Sequence, residues 1–160
     1  MKINFLKLLT GLAALLIVLG LADAGFAQRR ARGRNYTKAQ VDRLIKNVET
    51  RTDRFVSQFD DSLDRSRLNG TKREDNLNQR AKDLETATDE LRREFDRRDS
   101  WNENKDEVRR CLNIAADINV VVQRRKLGGA TEKNWANVRQ ELNTLAQVYK
   151  LPVIGSGKYR

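Results

Sequence analysis

Acidic side chains are the groups best placed to do chemistry in this sequence of 160 residues. Asp60-Asp61-Asp64, Glu85-Asp89 and Glu103-Asp106-Glu107 place acids at helical spacing, the arrangement that general acid and base work or a bound metal requires. The partners for that chemistry are missing. His is absent, so one chain cannot assemble a His-type zinc site, a Ser-His-Asp triad, a Cys-His dyad, a c-type haem attachment or a di-metal bundle of the Glu-x-x-His kind. Several acids have a basic residue four positions on: Asp42 with Lys46, Asp61 with Arg65, Asp89 with Arg93, Glu94 with Arg98 and Asp106 with Arg110. That pattern describes a solvated helix face with pairs of about 0.3–0.5 kcal/mol each. Gly155-Ser156-Gly157-Lys158 has the flavour of a phosphate loop, yet it lacks the first Gly, a Ser or Thr after Lys158, and a following helix. Asn35-Tyr36-Thr37 and Asn69-Gly70-Thr71 match the glycosylation sequon, but each Thr is better explained as a helix cap. The expectation is a protein that is not an enzyme, with no metal and no cofactor.

Basic residues carry the alternative chemistry, anion binding. The formal net charge of +10 divides into +1 over residues 1–27, +4 over 28–35, +2 over 36–149 and +3 over 150–160. Arg29, Arg30, Arg32 and Arg34 form a basic arm without apolar periodicity, and residues 155–160 form a Gly-rich basic tail; both are expected to be disordered. A second group gathers where two inter-helix turns meet: Arg65, Arg67, Lys72, Arg73, Arg124, Arg125 and Lys126, with Lys133 beside them. Two helix N-termini point the same way and favour anions. Asp61, Asp64, Glu74, Asp75 and Glu132 lie among these bases and are candidates to neutralise them.

The elements that position these groups follow from apolar periodicity. Val41, Leu44/Ile45, Val48, Thr52, Phe55, Phe59 and Leu63 recur at steps of three and four. The same stripe runs through Leu77 to Phe95, Val108 to Val122 and Trp135 to Tyr149, so four amphipathic helices are expected. Thr37-x-x-Gln40, Thr71-x-x-Glu74 and Ser100-x-x-Glu103 are capping boxes, and Thr131 is the expected cap of the fourth helix. Gly70 and Gly128-Gly129 stop the first and third helices, and Pro152 follows the fourth. The helices are placed at about 37–68, 72–99, 101–127 and 132–150, within a domain spanning 36–154.

Short connections make the fold class all-α, an antiparallel, coiled-coil-like four-helix bundle. The Asp99-Ser100 turn has neither Gly nor Pro; without it helices two and three run on as one rod. The fourth helix is expected to be roughly 10 Å shorter than the third at 1.5 Å per residue, with Leu151, Val153 and Ile154 covering the gap near Phe95, Trp101 and Tyr149. Phe55, Phe59 and Trp135 are assigned to the opposite end. Val120-Val121-Val122 wraps more than one face, which suits either a central helix or a subunit contact.

Residues 1–27 read as a secretory signal peptide: Lys2 and Lys7, an apolar run from Leu8 to Ala22, then small residues ending Gly25-Phe26-Ala27. An uncleaved membrane anchor is the lesser reading, since the apolar core falls short of the ~20 residues of a span. In an oxidising compartment the single Cys111 allows no intramolecular disulfide; it is either a buried small hydrophobe or an intermolecular link.

The segment Asp64-Arg65-Ser66-Arg67-Leu68-Asn69-Gly70-Thr71-Lys72-Arg73-Glu74-Asp75-Asn76, with Ala87-Thr88-Asp89-x-Leu91 and Phe95-Asp96 downstream, resembles a group of predicted secreted bacterial helical proteins without an assigned activity. The likeness covers roughly residues 36–150 and is most specific in its Ser-Arg-x-x-Gly-Thr-x-x-Glu-Asp-Asn turn. It implies an exported helical protein and supplies no site residues; a weaker echo of periplasmic helical chaperones and adaptors is architectural only. The expected function is a non-enzymatic structural, adaptor or chaperone-like interaction module of the cell envelope, periplasmic or secreted, with a protein partner or self-association. The alternative is a binder of anionic lipid, lipopolysaccharide or another polyanion at a membrane surface or envelope polymer. Nucleic acid is disfavoured, because only Tyr36 accompanies the arginines of the arm.

Overall fold

A computed structural model describes residues 36–125 and 127–156. The signal peptide, the basic arm, Lys126 and residues 157–160 of the tail lie outside the described residues. Four helices follow in order: α1 (Lys38–Asp64), α2 (Lys72–Arg97), α3 (Lys105–Arg124) and α4 (Gly129–Val148), with a 3-10 turn at Trp101–Asn104 between α2 and α3. No strand occurs among the described residues. None of the described helices is long and apolar enough to cross a membrane.

The apolar stripes become the core. Val41, Ile45, Val48, Phe55, Phe59 and Leu63 of α1 are all buried, as are Leu77, Leu84, Leu91 and Phe95 of α2. Val108, Leu112, Ala115 and Ile118 of α3 meet Trp135, Val138, Leu142 and Leu145 of α4 in the same cluster. Each helix packs on its neighbour in the chain, and α1 also packs on α4, which closes the ring of a helical bundle. Cross-helix contacts run in opposite numerical directions. Asp42 meets Arg92 while Asp60 meets Asn78, and Arg51 meets Glu141 while Ser62 meets Thr131. Glu90 meets Arg110 while Arg80 meets Asp117. These neighbouring helices are therefore antiparallel.

Phe55 stacks at 5.1 Å from Phe59 and 5.0 Å from Trp135, at the end assigned to them. At the other end, Trp101 and Tyr149 meet edge to face at 5.3 Å, and the Tyr149 hydroxyl donates to the Trp101 carbonyl at 2.7 Å. Ile154 is buried there, with Leu151 and Val153 packed beside the core. Val122 is buried, whereas Val120 and Val121 are only half-buried.

Several boundaries differ from the expected ones. The first helix stops at Asp64, not 68, because side chains after it compete for backbone groups: Ser66 Oγ accepts from Leu68 N at 3.0 Å and Asn69 Nδ2 donates to the Asp64 carbonyl at 2.7 Å. Around residue 100 the chain leaves the helix at Arg98 (φ −100°, ψ 142°) and Ser100 (φ −101°, ψ 123°), so helices two and three are separate. Ser100 makes no side-chain cap bond, and the first turn after it is 3-10, not α. Thr131 does not cap the fourth helix. Gly128, at φ +98°, lets that helix start at Gly129, and Thr131 is drawn into the interior. With these shifts α3 and α4 each have 20 residues, and the expected length difference disappears.

Candidate anion-binding surface

The turn between α1 and α2 is built by its own capping groups. Gly70 adopts φ +74°, a region that costs an L-residue about 1 kcal/mol or more. Thr71 Oγ1 accepts from Glu74 N at 3.3 Å, as the capping box predicts. The Glu74 carboxylate reaches one residue further back than the box requires, where its Oε2 accepts from Gly70 N at 2.6 Å. At Thr37 both halves of the box are present.

This local chemistry decides the charge at the turn end. Glu74 is only 6 % exposed and is withdrawn from the surface, while Arg65, Arg67, Lys72, Arg73 and Arg124 are exposed and Arg125 is half-buried. None of these six bases joins an ion pair with a described residue, and Asp61, Asp64, Asp75 and Glu132 join none either. The expected neutralisation by direct pairing is therefore not present. Arg29, Arg30, Arg32, Arg34 and Lys126 lie outside the described residues, so the structure brings together only the turn members of the sequence-derived set.

Pairing elsewhere is divided evenly between pairs across helices and pairs three or four residues apart. Arg92 bridges Asp42 and Asp96, Arg80 meets Asp117, and Arg51 meets Glu141. Arg98 holds Glu107 at 2.8 Å and Glu94 at 3.3 Å. Of the expected pairs four residues apart, Asp42 with Lys46 and Glu94 with Arg98 form. Arg110 instead turns to Glu90, and Asp106 takes Arg109. No bond is found between Asp61 and Arg65 or between Asp89 and Arg93.

A cleft of about 490 Å³ opens at the same end, between the close of α1 and the start of α4. Gln58, Asp61, Ser62 and Arg65 line one side, and Leu127 to Thr131 line the other. Its floor is a hydrogen-bonded network that local sequence rules miss. The Ser62 hydroxyl donates to the Gln58 carbonyl at 2.8 Å and lies 2.6 Å from the Thr131 hydroxyl, and Asn134 donates to the Gln58 side chain. No side chain caps α4, and its first residues, Gly129 to Thr131, line this cleft.

Carboxylates gather on the α1–α2 side. Glu85 and Asp89 of α2, at helical spacing, are joined by Glu49 and Asp53 of α1. Burial first, then the Asp89 charge, raises the carboxyls of Glu49 and Asp53; burial, then Asp53 and Asp89, raises Glu85. Asp42 moves the other way, held down chiefly by its hydrogen bond with Arg92. Among the described residues no three His, Cys, Asp or Glu side chains come close enough to share a metal ion. Cys111 is a fully buried free thiol, and burial pushes it up to about 12, which keeps it protonated and unreactive at neutral pH.

No protein-family profile, curated protein or solved structure matches this chain. The functional reading rests on its own residues.

Proposed function

We propose that this chain is a non-enzymatic, exported helical-bundle module of the cell envelope that docks onto an anionic surface through its turn end. One observation carries the reading: Arg65, Arg67, Lys72, Arg73, Arg124 and Arg125 sit at one end of the bundle without an ion-pair partner among the described residues, whereas Arg51, Arg80, Arg92, Arg98 and Arg110 each meet an acid on a neighbouring helix. Unpaired, hydrated cations keep their field available to an incoming anion, worth about 1 kcal/mol for each one that reaches a negatively charged bilayer. The leader-like run from Leu8 to Ala22 supports an envelope location, where anionic headgroups and lipopolysaccharide are abundant polyanions.

Cosedimentation with vesicles tests this. The protein is expected to pellet with phosphatidylglycerol vesicles and not with phosphatidylcholine vesicles, to be displaced by lipopolysaccharide, and to detach as salt rises towards about 0.5 M. Replacing Arg65, Arg67, Arg73 and Arg124 by Gln should weaken binding by at least tenfold at low salt. Equal binding to both vesicle types, or binding indifferent to salt, would overturn the proposal.

A protein partner is the second reading. Ile114 and Val121, two turns apart on one face of α3, are half-buried apolar residues, a feature that suits an adaptor contact. Placing a photo-crosslinker at Ile114 and at Asn113 distinguishes the two: a single adduct from Ile114 supports this reading, and no adduct from either removes it.

A further inference from the structure

The three connections of the bundle are not equivalent. The α1–α2 turn contains Gly70 at φ +74° and the α3–α4 turn contains Gly128 at φ +98°. These conformations cannot become helical by a small adjustment. The α2–α3 connection consists of Arg98, Asp99 and Ser100 followed by the 3-10 turn, with no Gly, no Pro and no positive φ. Converting it to α-helix chiefly needs ψ at Arg98 and Ser100 to move from 142° and 123° to about −40°, and no residue of the connection starts from a positive φ.

The closed form also leaves polar groups unsatisfied at this hinge. Asn104 is fully buried, and neither its side-chain nitrogen nor its side-chain oxygen has a partner. Neither Ser100 before the 3-10 turn nor Asn104 before α3 makes a side-chain cap bond, so this segment lacks the side-chain acceptor that Thr37 and Thr71 give the starts of α1 and α2. In a continuous helix each of those amides acquires the carbonyl four residues earlier. Opposing this are the Lys38 Nζ bond to the Arg98 carbonyl at 2.6 Å, the Arg98 bonds to Glu107, and the Tyr149 bond to the Trp101 carbonyl. Of these, the Lys38 bond is exposed to solvent, and the Arg98–Glu94 pair, four residues apart, survives in a continuous helix.

We propose that a second copy of this chain is a partner by exchange: α2 and α3 straighten into one helix, and the α3–α4 half of each chain packs on the α1–α2 half of the other. Contacts between halves away from the hinge are kept, now between chains, including Glu90 with Arg110, Arg80 with Asp117 and Arg51 with Glu141. Exchange therefore turns on the hinge and on protein concentration, not on a new surface. It is independent of anion docking.

Refolding from denaturant at increasing protein concentration, followed by size exclusion with light scattering, tests the proposal. A species of twice the monomer mass should form, its ratio to monomer rising about tenfold for a tenfold rise in monomer concentration, as mass action requires. Exchange is then separated from ordinary dimerisation by refolding a Glu90→Cys chain together with an Arg110→Cys chain, both carrying Cys111→Ala. An interchain disulfide between these two seam positions is expected after co-refolding and not after mixing the folded chains. Inserting Gly-Gly between Asp99 and Ser100 should abolish the dimer while leaving the helical circular-dichroism signal unchanged. A refolded protein that is monomeric at all concentrations, or a dimer in which the two introduced thiols form no crosslink between chains, overturns it.

Discussion

Thr52 and Thr88 are both fully inside the bundle, and they treat their hydroxyls differently. Thr88 Oγ1 donates to the Glu85 carbonyl at 2.8 Å, whereas Thr52 Oγ1 has no partner. A buried hydroxyl without a bond costs about 1–3 kcal/mol, and Val has the same shape without that cost. Thr52→Val is therefore expected to raise stability by about 1 kcal/mol, seen as a rise of about 4 °C in Tm; Thr88→Val, which removes a made bond, should give no such gain. Equal responses from the two variants would show that the missing bond is not the cause. Sequence reading placed Thr52 on the apolar stripe correctly, because periodicity alone decides which face is buried. It could not tell which hydroxyl would find a carbonyl. Thr131 shows the same limit from the other side: it looks like a cap, but its hydroxyl lies against Ser62, 69 residues away.

At the scale of elements, helix existence was legible and helix ends were legible only where local chemistry acted alone. Thr37 with Gln40 forms its box with both partners inside one turn. The end of α1 shifted by four residues because Ser66 and Asn69 unwound it, an effect that a stop signal at Gly70 does not contain. The close of α4 is a second case. Leu151 N donates to the Ala146 carbonyl at 2.8 Å and Lys150 N to the Gln147 carbonyl at 3.2 Å, the bond pair of a Schellman motif, with Lys150 in the left-handed position at φ +54°. Pro152 marked the stop, but nothing in the sequence signalled a Lys where Gly is usual. Ile154 N then donates to Asn143 Oδ1 at 2.7 Å, and the chain folds back over the core. Lys150→Gly should relieve the left-handed strain and stabilise the bundle by about 0.5–1 kcal/mol, measured by denaturant midpoint at unchanged m-value. A loss of stability would mean that the Lys side chain contributes more than its backbone strain costs.

Across the described residues, charge pairing differs by place: bases and acids alike without ion-pair partners at the turn end, cross-helix pairs along the sides, and acids gathered where Glu49, Asp53, Glu85 and Asp89 lie. The total of +10 conceals this arrangement. Pairing along a helix was the one local rule available, and it failed for Arg110 because Glu90 on α2 lies within reach only after folding. The sorting has a consequence for pH. Glu49, Asp53 and Glu85 have folded values raised by burial and then by neighbouring acids. The folded state thus binds their protons more tightly than the unfolded chain does, so their contribution favours folding below the ordinary carboxylate range and is lost as pH rises through the raised values. Asp42, lowered chiefly by the Arg92 hydrogen bond, acts oppositely, stabilising above that range and losing its effect as pH falls through its depressed value. Asp89 repels all three raised acids, so Asp89→Asn is expected to increase Tm at pH 7. That gain should shrink as pH falls through the raised values of these carboxyls, where they take up protons and the repulsion disappears. Asp42→Asn should instead lower Tm at pH 7 and lose its penalty only in stronger acid. Thermal unfolding of both variants and the parent across this range checks the sign, and an Asp89→Asn offset that stays constant with pH would rule out relief of repulsion as its cause.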